Sequence, residues 1–363
     1  YNSDGTQDLA VAFLGGTIRV MLGVGNGTFA LVSSNNAAGA ARGVLTDDIN
    51  ADGLRDMVVN CYGRDEISVY LGNGDGTFTS RTNFPTGNDA YYSTGGDFNG
   101  DGDLDVMTAN SGDYTVSPMF GNGQGQFNAG YTQNRLNIGV SLWHVVTNDF
   151  NRDGKLDLAT ANYGGANAGI FLGSGTGTFT AVTNFSMSSS PNCVATDDLN
   201  HDGYPDLVTA NGTRTNVSVR LGLGNGQFTG VTNYWASTTP RWVAAGLIDA
   251  DTNVDLVVAN AGSNSFCVLP GNGDGTFNAQ MAIATSNGPV SLAVADLNGD
   301  GKNDVALACS GVDSVAVHLG NGDGTFCAMT NYPVGNAPNS VAAGDFDGDN
   351  DLDLATADFE AAG

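Results

Sequence analysis

The sequence predicts an all-β fold: a seven-bladed β-propeller of four-stranded antiparallel blades, with its ring closed by exchange of terminal strands. Three observations lead to this prediction: a repeat of about 49 residues, four short strand-like runs per repeat, and an acidic loop at the same place in nearly every repeat. Repeats of roughly 40 to 50 residues that carry four strands are typical of propeller blades. We therefore treat residues 1–363 as a single domain.

The first repeated element is a hairpin of the form Gly-x-Gly-x-Gly-x-Phe. Its copies end at Phe29, Phe78, Phe127, Phe179, Phe228, Phe277 and Phe326. The spacing is 49 residues throughout, except for 52 between the third and fourth copies. Seven outer hairpins predict seven blades.

Four strand-like runs alternate with Gly, Asn and Asp within one repeat. In the last complete repeat they cover residues 290–296, 304–309, 314–320 and 325–332. The absence of a 3.6-residue hydrophobic period argues against a helical solenoid. A β-helix or an open array of repeats is the remaining alternative.

The two ends of the chain are expected to complete one blade between them. The N-terminal part supplies its second to fourth strands, and residues 339–345 supply its inner strand. Such closure hides sheet edges that would otherwise pair with other chains. The run 353–357 is then one strand too many. Either it or residues 1–10 are displaced, or the chain was cut from a longer repeat protein.

The second repeated element is an acidic loop of the form Asp-x-Asn-x-Asp-Gly-x-x-Asp. Oxygen ligands at alternate positions suit Ca²⁺, and glycine at the sixth position allows the chain to turn sharply around the ion. The seventh residue would donate its backbone carbonyl. About six Ca²⁺ sites are therefore predicted. Their ligands are Asp48, Asn50, Asp52, Leu54, Asp56, Asp97, Asn99, Asp101, Asp103, Asp105, Asp149, Asn151, Asp153, Lys155, Asp157, Asp198, Asn200, Asp202, Tyr204, Asp206, Asp296, Asn298, Asp300, Lys302, Asp304, Asp345, Asp347, Asp349, Asp351 and Asp353.

Two further copies of the loop depart from the pattern. One has Leu247 at the first position and Thr252 in place of glycine, and retains Asp249, Asp251 and Asp255. We expect this site to be weak or empty. At the N-terminus, Asn2, Asp4 and Asp8 form a partial copy.

The composition supports a role for cations and argues against two classes of partner. The chain has 38 acidic and 12 basic residues, for a formal net charge of -26, and such like charge opposes compaction unless cations neutralise it. Nucleic acids and anionic membranes both require basic patches. No apolar run is long enough to span or insert into a membrane. The five cysteines, Cys61, Cys193, Cys267, Cys309 and Cys327, show no metal-binding spacing and are interpreted as buried single residues.

These loops, together with segments such as Gly335-Asn336-Ala337-Pro338, resemble the FG-GAP or VCBS repeat family, which includes the propellers of integrin α subunits. The resemblance covers nearly the whole chain. It implies Ca²⁺ between the first and second strands of each blade, on the face opposite the usual ligand-binding face. It also implies an extracellular or cell-surface location for a secreted chain. The ligand does not follow, because one fold hosts many functions.

The face opposite the acidic loops is the predicted recognition surface. Aromatic and arginine side chains, which often dominate binding interfaces, concentrate where the inner strands begin. The proposed ligand rim consists of Arg42, Tyr91, Tyr92, Trp143, His144, Arg241 and Trp242. Asn192, Val290 and Asn339 occupy equivalent positions, and nearby loops add Tyr62, Arg64, Tyr114, Tyr163 and Arg214. The alternative is that these side chains only pack strand starts together.

The predicted function is recognition of an extracellular protein or glycan. No nucleophile elbow, phosphate-binding loop or set of histidine metal ligands is present, so we expect no enzymatic activity. Two alternatives remain. The chain is a structural or assembly unit of a large surface protein, or it is a propeller lyase or hydrolase that acts from channel residues.

Overall fold

A computed structural model describes residues 8–13, 17–23, 29–36, 38–128, 136–138, 140–344 and 353–358. These residues form an all-β propeller with antiparallel blades arranged around a central channel. No helix in these ranges is long and apolar enough to cross a membrane.

Six blades follow one another along the chain. Blade 1 is β4 (Ala40–Asp47), β5 (Asp56–Tyr62), β6 (Glu66–Tyr70) and β7 (Thr82–Pro85); blade 2 is β8 (Ala90–Gly96), β9 (Asp105–Asn110), β10 (Thr115–Gly121), β11 (Phe127–Asn128) and β12 (Leu136–Asn137). Blade 3 is β13 (His144–Asn148), β14 (Asp157–Asn162), β15 (Asn167–Gly173) and β16 (Phe179–Ser186), with a 3-10 helix at Tyr163–Gly165; blade 4 is β17 (Pro191–Asp197), β18 (Asp206–Asn211), β19 (Asn216–Arg220) and β20 (Thr232–Trp235). Blade 5 is β21 (Pro240–Gly246), β22 (Asp255–Asn260), β23 (Ser265–Leu269) and β24 (Met281–Ala284); blade 6 is β25 (Pro289–Ala295), β26 (Asp304–Cys309), β27 (Ser314–His318) and β28 (Thr330–Pro333).

The two ends of the chain meet in a five-stranded sheet, here called the closing sheet. Its strands are β1 (Asp8–Phe13), β2 (Thr17–Gly23), β3 (Phe29–Asn36), β29 (Pro338–Gly344) and β30 (Asp353–Asp358), in the order β29-β30-β1-β2-β3. β30 pairs antiparallel with β29 but parallel with β1. The inner strand β29 contacts both β25 and β4, so this sheet lies between blades 6 and 1.

The prediction of seven four-stranded antiparallel blades is therefore wrong. The described residues show six blades, and the chain ends form a mixed five-stranded sheet instead of a seventh blade of that kind. The physical reason is that the chain carries two copies of the second-strand sequence, Asp-Leu-Ala at the start of β1 and Asp-Leu-Ala at the start of β30. Of the alternatives for the extra strand, displacement of 353–357 or of the N-terminal strand is wrong for the described residues, because β1 adds to the free edge of β30.

The fourth strand of the repeat is shorter than the sequence indicated. In blade 6 the first three runs match β25, β26 and β27 closely, whereas β28 begins only at Thr330. Phe326 instead forms an isolated bridge with Gly320. The hairpin aromatic thus anchors the outer turn separately from the outer strand.

The hydrophobic core lies between neighbouring blades rather than inside any one of them. Second strands are buried on both faces, as in β9, where every residue is buried. Between blades 1 and 2, for example, Val58 and Ile67 pack with Val106 and Met119. Four of the five cysteines are buried as expected, but Cys327 is exposed.

Candidate functional site

The five complete acidic loops in the described residues each connect the first and second strands of a blade. They cover residues 48–56, 97–105, 149–157, 198–206 and 296–304. Because every blade has the same strand order, these loops share one face of the propeller. The inner strands begin at the opposite face.

The side-chain oxygens of each loop turn inward onto the loop's own backbone. In the first loop, Asp48 Oδ1 and Asn50 Oδ1 both accept a hydrogen bond from Asp52 N, each at 3.1 Å. Asp48 Oδ2 accepts from Gly53 N at 2.9 Å, and Asp52 Oδ1 accepts from Leu54 N at 2.8 Å. The same bonds recur in the loop that starts at Asp198. Carboxylate and amide oxygens therefore converge on one small region.

The ninth-position aspartate of each loop has a second partner outside the loop. Asp56 Oδ2 accepts from Ile49 N at 2.8 Å, and its Oδ1 accepts from Gly72 N, two residues after the third strand, at 2.7 Å. We call this arrangement the aspartate clamp. It recurs at Asp105, Asp157, Asp206, Asp255 and Asp304, with N to O distances between 2.6 and 3.0 Å.

Burial raises the pKa of the clamp carboxylates. Desolvation raises the pKa of Asp56, Asp105, Asp157 and Asp304 to about 6, and that of Asp206 to about 7. The two backbone N–H donors oppose this shift, and the neighbouring loop aspartates add to it. A nearby cation would favour the charged form of these groups.

Three of the acidic loops are also bonded to the next blade. Phe98 O accepts from Gly177 N at 2.9 Å, Phe150 O from Gly226 N at 3.0 Å, and Leu199 O from Gly275 N at 3.1 Å. The donors are the third glycines of the Gly-x-Gly-x-Gly-x-Phe hairpins. The loop, its clamp and the neighbouring hairpin thus form one continuous hydrogen-bonded unit across the blade interface.

The loop that begins at Leu247 keeps its clamp but not its backbone conformation. Asp255 accepts from Ile248 N at 2.9 Å and Gly271 N at 2.8 Å. In the five complete loops, the fourth and sixth positions have positive φ, for example 58° at Ala51 and 84° at Gly53. Neither Ala250 nor Thr252 is in this region. The loop therefore turns differently from the others.

Several predicted ligands cannot be placed. Asp345, Asp347, Asp349 and Asp351 lie outside the described residues, as do Asn2 and Asp4 of the partial copy. Asp353 begins β30, and Asp8 begins β1.

The donor chemistry of the complete loops fits a hard cation. Within the described ranges, no three His, Cys, Asp or Glu side chains are gathered as a metal-binding group. The loops instead combine aspartate with asparagine and backbone oxygens, the ligand set that Ca²⁺ takes. Asp48, Asn50, Asp52 and Asp56 could hold the ion in the first loop, with corresponding residues in the other four.

A stack of aromatic rings occupies the start of the inner strands, on the face opposite the loops. Trp143 lies between Tyr163 and Tyr91, with ring centroids 4.1 Å and 5.6 Å away and interplanar angles of 2° and 16°. Arg241 lies 5.7 Å over Trp143, and Arg42 lies 4.8 Å over Tyr91. All five side chains are half-buried. This stack is called the aromatic rim below.

The remaining predicted rim residues fall into three groups. Asn192, Val290, Asn339 and Trp242 join Tyr91, Trp143 and Arg241 around a shallow depression at the channel mouth. Arg42 also lies 4.8 Å over Tyr62. Arg64, Tyr114 and Arg214 are exposed in loops between second and third strands.

His144 is buried and does not belong to the exposed rim, whereas Tyr92 is half-buried like the rim residues. They form a cluster with Trp242 just inside the channel, and the His144 ring lies 4.2 Å from Tyr92 and 4.7 Å from Trp242. His144 is only 4% exposed. Burial lowers the pKa of His144 to about 3, an effect that the nearby Val194 backbone only partly offsets.

The clamp is the part of the site that sequence reasoning missed. Its signal was present, because a glycine stands sixteen residues after each of the six clamp aspartates: Gly72, Gly121, Gly173, Gly222, Gly271 and Gly320. A Cβ at Gly72 would lie 2.4 Å from Arg55 O, so the chain passes too closely for any other residue.

These features define a repeat propeller with an acidic loop in most blades. The FG-GAP-like repeat model matches residues 48–108, 97–160, 149–209, 198–253, 248–307 and 296–356, which together cover most of the chain. The chain therefore belongs to the FG-GAP-like repeat family. The match is to the repeat family and not specifically to integrin α subunits. No curated protein matches the sequence significantly.

Solved structures with the same fold have diverse roles. A Bacteroides uniformis protein provisionally assigned as a 6-phosphogluconolactonase is 15% identical, with a TM-score of 0.73 over 93% of this chain and 98% of its own. An Agrocybe aegerita lectin that recognises non-reducing terminal N-acetylglucosamine is 19% identical, with a TM-score of 0.59 over 90% and 89%. The V. cholerae biofilm matrix protein Bap1 is 11% identical, with a TM-score of 0.56 over 97% and 81%. At these identities the likeness concerns the fold alone.

Proposed function

We propose that this chain is an extracellular binding propeller that recognises a glycan or a protein through its aromatic rim, with Ca²⁺ in the acidic loops of the opposite face. The observation that carries the proposal is the half-exposed stack of Tyr91, Trp143 and Tyr163, flanked by Arg42 and Arg241. Trp, Tyr and Arg are the residues that most often dominate binding energy.

The shape of the rim favours recognition of a surface or chain over a small substrate. The depression beside the stack has a volume of only about 30 Å³, far below the roughly 300 to 1,000 Å³ of small-molecule pockets. A flat aromatic surface suits a sugar ring or a protein loop laid across it. The fold that this chain shares with the A. aegerita lectin and Bap1 is consistent with such a role.

Calcium would act as a structural ion in this proposal. Each complete loop carries several oxygen donors within nine residues, and three of the loops are bonded to the neighbouring blade, as through Phe98 and Gly177. Neutralising their carboxylates would relieve like-charge repulsion at each blade interface. Recognition and metal binding would then occupy opposite faces.

Two other functions are also considered for this chain. An assembly role in a larger surface protein would use the same rim as a contact with another chain. A lyase or hydrolase is allowed by the fold, but the buried His144 has a pKa near 3 and is a poor general base at neutral pH.

The proposal is tested by screening native protein against immobilised glycans and extracellular-matrix proteins in the presence of Ca²⁺. For each ligand found, Trp143→Ala and Tyr163→Ala should weaken binding by about tenfold or more, because each removes a central ring of the stack. Surface plasmon resonance gives the affinities.

Trp235→Ala is the matched control, because Trp235 is 60% exposed on the outer strand of blade 4. It should leave the affinity unchanged. If the two rim variants bind every identified partner as well as the native protein does, the aromatic rim is not the recognition surface.

A further inference from the structure

The face of the propeller that carries the aromatic rim also contains a polar cavity beside blades 4 and 5. The cavity has a volume of about 420 Å³ and lies between the loop that joins β18 to β19 and the loop that joins β20 to β21. None of its lining residues belongs to the stack of the aromatic rim. They are Gly212, Thr213, Arg214, Thr215, Thr238 and Thr239.

The cavity lies where a repeated hydrogen bond of the propeller is missing. At three places around the ring, the residue that directly precedes an inner strand donates its N–H to a side-chain oxygen 24 residues earlier. The pairs are Asp89 with Asp65, Gly288 with Asn264, and Ala337 with Asp313, at N to O distances of 2.7 to 3.1 Å. Thr239 precedes the inner strand of blade 5, and the residue at the acceptor position is Thr215. Thr239 N makes no hydrogen bond within the described residues.

The backbone at Thr239 keeps the conformation in which its counterparts are bonded. Its φ is 55°, compared with 56° at Asp89 and 49° at Ala337. This shared conformation directs the N–H of Thr239 toward Thr215, which lines the cavity. An oxygen atom of a bound molecule would therefore supply the acceptor that an Asp or Asn side chain supplies elsewhere.

The side chains of the cavity add further donors. The Arg214 guanidinium, which can only donate, makes no ion pair or hydrogen bond within the described part of the chain. The hydroxyls of Thr215 and Thr238 also make no hydrogen bond there, whereas the Thr213 hydroxyl is bonded to that of Ser189. A guanidinium, an N–H and hydroxyl groups together favour an anion with several oxygens.

The electrostatic surroundings permit an anion at this place despite the acidity of the chain. The loops 187–190, 212–215, 236–239 and 261–264 contain no Asp or Glu. The acidic loops lie on the opposite face, and the seven-residue strand β21 spans ~20 Å between the two faces. This distance is more than twice the Debye length of about 8 Å at physiological ionic strength. The charge of the acidic loops is therefore largely screened at the cavity.

We infer that this cavity binds a tetrahedral oxyanion, the sulfate or phosphate group of an ester. Arg214 pairs with two of its oxygens, and a third accepts from the N–H of Thr239 and the hydroxyl of Thr215. A carboxylate has two oxygens where these donors use three. The site goes beyond the proposed function of the aromatic rim and does not rest on it.

The first test is an NMR titration of the whole chain with inorganic sulfate, inorganic phosphate and acetate at constant ionic strength. Sulfate and phosphate at millimolar concentration should shift the backbone amide of Thr239 and the side-chain Nε–H of Arg214. Acetate should bind more weakly. Glucose-6-sulfate and glucose-6-phosphate then distinguish the two sources of the group, and at least one of them should shift the same two signals.

Two substitutions assign the binding to the cavity. Arg214→Gln removes the charged donor and should raise the Kd for sulfate by about tenfold or more. Thr215→Asp introduces the carboxylate that Asp65 provides in blade 1, which would accept from Thr239 N–H and repel the anion, so binding should be lost. Arg64→Gln is the matched control for oxyanion binding, because Arg64 occupies the position of Arg214 in blade 1 and is followed there by Asp65. It should leave the Kd for sulfate unchanged.

Thermal unfolding shows that the variants are folded before their affinities are compared. The absence of a Thr239 shift with both inorganic ions would overturn the inference, as would acetate binding as tightly as sulfate and phosphate. The same conclusion would follow if neither ester bound, or if Arg214→Gln and Thr215→Asp bound sulfate as well as the native chain does.

Discussion

At the scale of single residues, the aspartates of the acidic loops divide into two kinds. Those at the first and fifth positions, such as Asp48 and Asp52, are exposed or half-exposed and bond only within the loop. Those at the ninth position are fully buried and join the loop to the third strand. The Leu247 loop separates the two roles, because it has lost the first-position aspartate and kept the clamp at Asp255. The clamp is therefore a structural device that does not require a complete set of metal ligands.

Asp56→Asn should destabilise the protein whether or not Ca²⁺ is present. The new amide group would face a backbone N–H of Ile49 or Gly72, leaving a buried donor without an acceptor, which costs ~1–3 kcal/mol of unfolding free energy. Urea denaturation in Ca²⁺ and in EDTA measures the loss.

Asp75→Asn in the same blade is the control, because Asp75 is exposed in a hairpin turn and bonds only to Thr77. It should change stability little. A loss in Asp56→Asn that appears only with Ca²⁺ present would mean that Asp56 acts as a metal ligand alone and not as a clamp.

At the scale of elements, the hairpin and the acidic loop form one interlocking unit between blades. The third hairpin glycine has positive φ and lies against an apolar side chain of the preceding blade, which is a leucine at Gly125, Gly226 and Gly275. At Gly275, φ is 79° and an added Cβ would lie 2.6 Å from the Leu221 side chain, while the N–H donates to Leu199 O. Glycine is required here by both conformation and space.

Gly275→Ala should lower the unfolding free energy by ~1–3 kcal/mol, because the residue would be strained and the blade interface would have to shift. Gly230→Ala is the matched control: no atom lies within 4 Å of its Cβ position and its φ is not positive. Chemical denaturation measures the unfolding free energy of both variants. Equal stability of the two would show that this hairpin contact tolerates a side chain.

The Leu247 loop allows the opposite experiment, in which a Ca²⁺ site is restored by substitution. Leu247→Asp restores the first ligand position, but the backbone also needs the left-handed sixth residue that Gly53 provides in the first loop. We expect the double variant Leu247→Asp/Thr252→Gly to bind one more Ca²⁺ per chain than the native protein, and Leu247→Asp alone to bind it weakly or not at all. Equilibrium dialysis with metal analysis counts the ions. An unchanged count in the double variant would contradict this account of the loop.

At the scale of the whole molecule, the ring is completed by the closing sheet. The strand pair β29–β30 has the same form as the first two strands of a blade, including the register shift between Pro338 and Ser340 that matches the one between Pro289 and Ser291. The N-terminal strand β1 then adds parallel to β30. Closure uses one strand more than a blade needs, and it still gives β29 neighbours on both sides, in blades 6 and 1.

The sequence was sufficient to predict the structure within each blade, but it was not sufficient to predict how the chain ends close the ring. The propeller class, the strand order within blades and the position of the loops followed from repeats, because each repeat specifies its own sheet. Which of two equivalent strands, β1 or β30, pairs with β29 depends on contacts between the chain ends, and the repeat pattern is the same for both. Likewise, the exposure of His144 depended on ring packing with Tyr92 and Trp242, which spacing does not reveal.

Removal of Ca²⁺ tests the proposed role of the ion across the whole ring. Each of the five complete loops carries at least three aspartates within nine residues, in a chain with a net charge of -26, so their mutual repulsion would act at several blade interfaces at once. A ligand that binds only the folded state adds ~2.7 kcal/mol per site at a concentration of a hundred times its Kd. Chelation with EDTA should therefore lower the Tm by about 10 °C or more, as followed by circular dichroism. Excess Ca²⁺ should restore the Tm, whereas Mg²⁺, which demands near-octahedral geometry, should restore little of it. A Tm that does not change on chelation would show that the hydrogen bonds of the loops and clamps hold the propeller without the ion.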